Sequence, residues 1–183
     1  MVQRMQHFRL DRIPDNLLRE PLDYLVADHM RQRKLCNALE ALHPVNGGGW
    51  PREITEPVFG YLADALPQHI SDEECDLFPA LRAVSGLDSD AEDLIETLIR
   101  NHAVELSLAS EVIAAIKRTP PANDETGTPN ISRLLVDFSD CLRRHLAIEE
   151  RMLMPLARKR LTGDAMTQIG RAMAKRRDID YPE

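Results

Sequence analysis

Six histidines occur in this 183-residue chain, and four of them, His29, His69, His102 and His145, fall one to each long stretch of helix-spaced apolar residues. Two are followed four residues later by glutamate, in His69-Ile-Ser-Asp-Glu73 and His145-Leu-Ala-Ile-Glu149. Residues at i and i+4 stack one turn apart on one helix face. In phase with His69 are Leu62, Ala65, Leu66, Leu77 and Leu81; with His102, Ile95, Leu98, Ile99, Leu106, Ala109 and Ile113. His145 shares its phase with Phe138, Leu142, Ile148 and Met152, and His29 with Leu25, Val26 and Cys36. All four therefore point inward. A single histidine on an apolar face reads most simply as a packed core residue, but four of them with two carboxylates make a different case. Burying Glu73 and Glu149 uncompensated costs on the order of several kcal/mol each. Two divalent cations would neutralise both and use every imidazole lone pair.

The elements that must carry these residues are four helices. The first is predicted from about Leu22 to Leu42, ending at His43-Pro44-Val45-Asn46-Gly47-Gly48-Gly49, which cannot continue a helix. The second runs from about Ile54 to Val84, with Pro57 and Pro67 expected to shorten or kink it. The third starts at Ser89, where Ser89-x-x-Glu92 reads as a capping box, and reaches about Lys117. After a loop from Thr119 to Pro129, the fourth spans about Asn130 to Arg160, with Pro155 bending its end. Thr162 to Arg177 reads as an appended fifth helix that could cap the bundle or offer a partner surface. No internal repeat stands out. The expectation is an all-α, single-domain chain: an up-down-up-down four-helix bundle over about residues 20–160, with an N-terminal segment and a short extra C-terminal helix.

In such a bundle, residues equidistant from a connecting turn share a level. With turns near Gly48, Leu87 and Asp124, His29 lies 19 residues before the first and His69 21 after it. His69 and Glu73 lie 18 and 14 before the second and His102 15 after, and His102 and His145 lie 22 before and 21 after the third. At about 1.5 Å per residue the mismatches amount to a few ångströms. Four histidines and two glutamates meet in one layer.

Composition narrows the function classes. The chain has 23 Lys+Arg against 30 Asp+Glu, a formal charge of −7, so it lacks the basic footprint of a nucleic-acid or anionic-membrane binder. No apolar run reaches the roughly 20 residues of a membrane span, and the N-terminus lacks the apolar core of a secretory signal. Cys36, Cys75 and Cys141 are odd in number and widely spaced, which fits reduced thiols in a cytoplasm. Cys36 and Cys141 share faces with His29 and His145 and read as small buried hydrophobes. His7 reads as a surface residue, and Lys175 to Arg177 as a solvated basic face. Glu40-Ala-Leu-His43 matches a Glu-x-x-His metal element, but no other histidine has glutamate three residues before it, so the ferritin-type arrangement is rejected.

Asp28-His29, then HISDEECDLFP from His69 to Pro79, then Asn101-His102, then RHLAIEERMLMP from Arg144 to Pro155 resemble the hemerythrin-like, or HHE cation-binding, family over about residues 20–160. The resemblance implies a non-heme di-iron centre, bridged by two carboxylates and an oxo or hydroxo group. Glu73 and Glu149 match the bridging carboxylates, with His29 and His69 on one iron and His102 and His145 on the other. Histidine and carboxylate donors without thiolate suit iron, though manganese or zinc is chemically allowed. Ring orientation needs acceptors behind the imidazoles; Glu74, Asp28 and Glu150 are candidates, although each alone reads as a solvated surface charge.

Oxygen-carrying members place a second histidine four residues after the first on the third helix, where this chain has Leu106. Each iron then keeps an open position, which resembles members linked to iron sensing, nitric-oxide or oxidative-damage chemistry more than a dedicated carrier. Glu105 is a minor candidate for an extra ligand. The implied partners are O2, NO or peroxide, with a protein partner or a homodimer open. Three functions compete: a binding or sensing module, a redox enzyme acting on O2, peroxide or NO, and a metal-free structural bundle.

Overall fold

The computed structural model describes residues 8–42, 50–84, 86, 88–118 and 128–182. Among them every regular element is helical and no strand occurs. A short 3₁₀ turn, Asp15–Arg19, precedes α1 (Pro21–Glu40). Helix α2 covers residues 52–82, α3 is Ser89–Lys117, α4 covers 128–160 and α5 is Gly163–Arg176. The turn positions near Gly48, Leu87 and Asp124, and the residues His7 and His43, lie outside the described residues.

The prolines do not shorten α2. The helix passes each of two prolines through a widened turn in which an N–H reaches back five residues instead of four: Leu66 to the Tyr61 carbonyl before Pro67, and Phe78 to Glu73 before Pro79. In α4, Met154 bonds back to Glu149 in the same way before Pro155. Proline has no N–H and its ring crowds the carbonyl four residues back. A π turn with one extra residue relieves both problems without ending the helix. The extra residue also rotates everything beyond it. Met152, in phase with His145 on a regular helix, is instead 54% exposed, and Leu153 takes the buried position.

The cap of α3 also differs from expectation. Asp88 is the N-cap, its backbone extended and its Oδ1 accepting from the Ala91 N–H at 2.9 Å, while Ser89 is already helical.

Helix α4 packs against both α1 and α3. The α1–α4 seam is laced by Arg158 with Asp23, Arg33 with Glu150 and Arg143 with Glu40. The buried apolar residues form two separate clusters. One is built around Leu39, Val58, Val112, Phe138 and Leu142. The other is built around Leu22, Phe78, Leu98, Leu153 and Met173. Helix α5 belongs to the second, with Ile169, Met173 and Ala174 buried. Gly170 lets it approach closely, since a β-carbon there would collide with the Leu18 carbonyl oxygen. At the basic end of α5, Lys175 is exposed as expected, but Arg176 and Arg177 both pair with Asp72 of α2, and Arg177 lies 4.7 Å over the Tyr24 ring. The fifth helix thus caps one end of the bundle.

Candidate metal centre

Between the two apolar clusters lies a polar layer. His29, His69, Glu73, His102, His145 and Glu149 are each at most 3% exposed. α1 supplies His29, α2 supplies His69 and Glu73, α3 supplies His102, and α4 supplies His145 and Glu149. The two glutamates occupy equivalent places, each opening a π turn.

The imidazole Nε2 atoms converge on the glutamates. Glu73 turns Oε1 toward His69 Nε2 at 3.7 Å and Oε2 toward His102 Nε2 at 3.2 Å. Glu149 turns Oε2 toward His29 Nε2 at 3.3 Å and Oε1 toward His145 Nε2 at 3.0 Å. Each carboxylate therefore spans two histidines on different helices. Two four-residue sets result, His29, His69, Glu73 and Glu149, and Glu73, His102, His145 and Glu149; within each, the donor atoms lie within 4.8 Å of one another.

These atoms are close without being hydrogen-bonded. Nε2 of His29, His69 and His102 and all four oxygens of Glu73 and Glu149 are buried without a hydrogen-bond partner among the described residues. Buried polar atoms are normally satisfied, and each orphan costs about 1–3 kcal/mol, more when charged. Burial and the neighbouring Glu149 push Glu73 well above the usual carboxylate range. For Glu149, burial acts upward too, but His145 and His29 overcome it and hold the group well below that range. Two carboxylates this close cannot both ionise cheaply unless a cation sits between them.

On the far side of each ring, a carboxylate lies beside Nδ1. His102 Nδ1 is hydrogen-bonded to Glu74 Oε1 at 2.7 Å. His69 Nδ1 is 3.3 Å from Asp28 Oδ2, His145 Nδ1 3.4 Å from Glu105 Oε1, and His29 Nδ1 3.5 Å from Glu150 Oε1. A carboxylate at Nδ1 favours the tautomer with the proton there, which leaves the Nε2 lone pair free for a cation. The surface reading of Asp28, Glu74 and Glu150 therefore fails. Asp28 is buried, and it also accepts from Tyr61 Oη at 2.6 Å and Arg31 Nη1 at 2.6 Å. Burial would raise its pKa, but His69, Arg31 and Tyr61 bring it down to about 2. Glu105 faces the back of His145, on the side away from Nε2, and burial pushes its carboxyl up to about 7. His102 is pushed down to about 3, by burial first and by His145 second.

Among the cysteines, Cys36 is buried and donates to the Ser139 carbonyl at 3.7 Å, and its thiol is pushed up by burial to about 11. Cys141 is only half-buried and Cys75 is exposed; all three are free thiols. No helix among the described residues is long and apolar enough to cross a membrane.

The sequence profile of the hemerythrin HHE cation-binding domain matches residues 20–157, the stretch that contains all six converging side chains. A Haemophilus influenzae protein described only as an uncharacterized protein is similar, at 27% identity over 168 residues, covering 87% of this chain and 91% of its own. With a match of that length over residues arranged to hold cations, the chain belongs to the hemerythrin HHE cation-binding domain family.

Proposed function

We propose that this protein is a one-domain, up-down-up-down bundle that binds a non-heme di-iron centre of hemerythrin type, and that the pair of metals binds O2 or NO, or senses iron, as its function. The observation that carries the reading is the set of orphaned lone pairs: seven buried, unpartnered donor atoms from five side chains face one another across the layer. His29 and His69 would hold one ion and His102 and His145 the other, with Glu73 and Glu149 shared between them. Nitrogen and oxygen donors without sulfur suit iron; manganese or zinc would fit the same donors. When bound, an iron pair supplies redox chemistry and open coordination positions for a diatomic ligand or peroxide.

The chain's own residues have three tasks in this reading. Asp28, Glu74, Glu105 and Glu150 orient the imidazoles from behind. The two apolar clusters exclude water above and below the layer. Phe78, stacked parallel to His102 at 6.0 Å, closes one flank.

The test is to load the purified protein anaerobically with ferrous iron and expose it to NO or O2. Retention of a fixed, stoichiometric amount of gas per chain supports binding or sensing. Repeated consumption of O2, peroxide or NO in the presence of a reductant would replace that reading with a redox enzyme on the same residues.

A further inference from the structure

The two halves of the layer carry the same donors but differ in what stands behind them. Behind His29 and His69, each carboxylate is neutralised by an arginine. Glu150 receives two bonds from Arg33, at 2.5 and 2.8 Å, and Asp28 receives Arg31 at 2.6 Å. Asp72, which also faces His69 electrostatically, is held by both Arg176 and Arg177. Behind His102 and His145 stand Glu74 and Glu105, and no lysine or arginine among the described residues pairs with either. Glu74 has His102 as its hydrogen-bond partner and is about one-third exposed. Glu105 is 1% exposed, and its Oε1 has no hydrogen-bond partner among the described residues.

A cation is drawn to negative charge that nothing else has cancelled, and inside a protein that attraction is weakly screened. We propose that the two metal positions are unequal for this reason: the position at His102 and His145 takes the first divalent cation, and the position at His29 and His69, backed by Arg31 and Arg33, takes the second and holds it less tightly. The inference rests on the two-cation reading above. Residues outside the coordinating set would then decide the order of filling. Glu74 would act as a positioning residue for the first ion, and Arg33 as a restraint on the second.

The experiment is a Co²⁺ titration of the metal-free full chain, followed by calorimetry and visible absorption. Crystals grown with one equivalent of Co²⁺ then locate the ion by anomalous scattering. Two steps are expected, with the first ion at His102 and His145. Glu74→Gln should weaken the first step by about tenfold, the low end of the usual effect of such partners, and leave the second unchanged. Glu74→Asp should restore part of the loss. Arg33→Met should tighten the second step and narrow the gap. Equal occupancy at one equivalent, first filling at His29 and His69, or a Glu74→Gln protein that titrates like the wild type would overturn the ordering while leaving two-cation binding intact. Absence of any Co²⁺ or Fe²⁺ binding would overturn the reading of the centre itself, and the ordering with it.

Discussion

The apolar ends of the bundle and the layer between them are built on opposite terms. In the end clusters, side chains such as Phe138, Leu142, Phe78 and Leu153 are fully buried and gain from leaving water. In the middle layer, histidines and glutamates equally buried leave donor and acceptor atoms unpaired. The ends are closed by apolar packing alone, whereas the layer leaves buried polar atoms unpaired that the two proposed cations would satisfy. One contiguous bundle thus divides its work: the ends hold the fold, and the middle is held in a conformation it would not choose for itself. Such a division is what a binding site requires, because donors that satisfied one another would have to be pulled apart before binding.

The division can be broken from either side. Phe138→Ala removes a fully buried ring from one end and should cost about 3–5 kcal/mol in chemical denaturation, with or without metal, while leaving metal per chain unchanged. A loss below about 1 kcal/mol would show that the ends do not carry the fold. Metal acts on the other region. At a free concentration about 1,000 times Kd it should stabilise the wild type by about 4 kcal/mol and give Glu149→Gln far less. Without metal, Glu73→Gln should be at least as stable as the wild type, because burial and the neighbouring Glu149 already disfavour a charge on that carboxyl. A metal-free variant markedly weaker than the wild type would mean the layer is stabilising in its own right.

Two smaller effects sharpen the picture. Gly170→Ala should cost about 1–3 kcal/mol by forcing α5 away from the Leu18 carbonyl, without changing metal content. Asp88→Ala should cost about 1 kcal/mol through the lost cap of α3. Ser89→Ala should cost less, and a larger loss there would restore the capping box.

The inward histidines and glutamates were legible because helical phase and level are both properties of spacing, and the structure brings all six together. Of the carboxylates behind the rings, Asp28, Glu74 and Glu150 were legible only as candidates and Glu105 not in that role at all, because a charge beside a ligand position looks the same in sequence whether it faces the ring or the solvent. A signal was present: Asp28, Glu74 and Glu150 each adjoin one of the six residues, on three different helices. The π turns were hidden for a related reason. His69-x-x-x-Glu73-Glu74 followed by Phe78-Pro79 repeats the spacing of His145-x-x-x-Glu149-Glu150 followed by Met154-Pro155. A proline placed identically after both ligand pairs marks a widened turn rather than a helix end. A regular 3.6-residue period carried through that turn puts Met152 on the buried face, whereas the π turn leaves it exposed. The docking of α5 through Asp72 depends on contacts between segments about a hundred residues apart, which periodicity within one helix does not reach.

If the layer holds two cations, elemental analysis of the purified, untagged protein will find about two metal ions per chain, iron foremost, falling sharply in Glu149→Gln. A wild-type protein that carries no metal, even after anaerobic addition of ferrous iron, would contradict that reading.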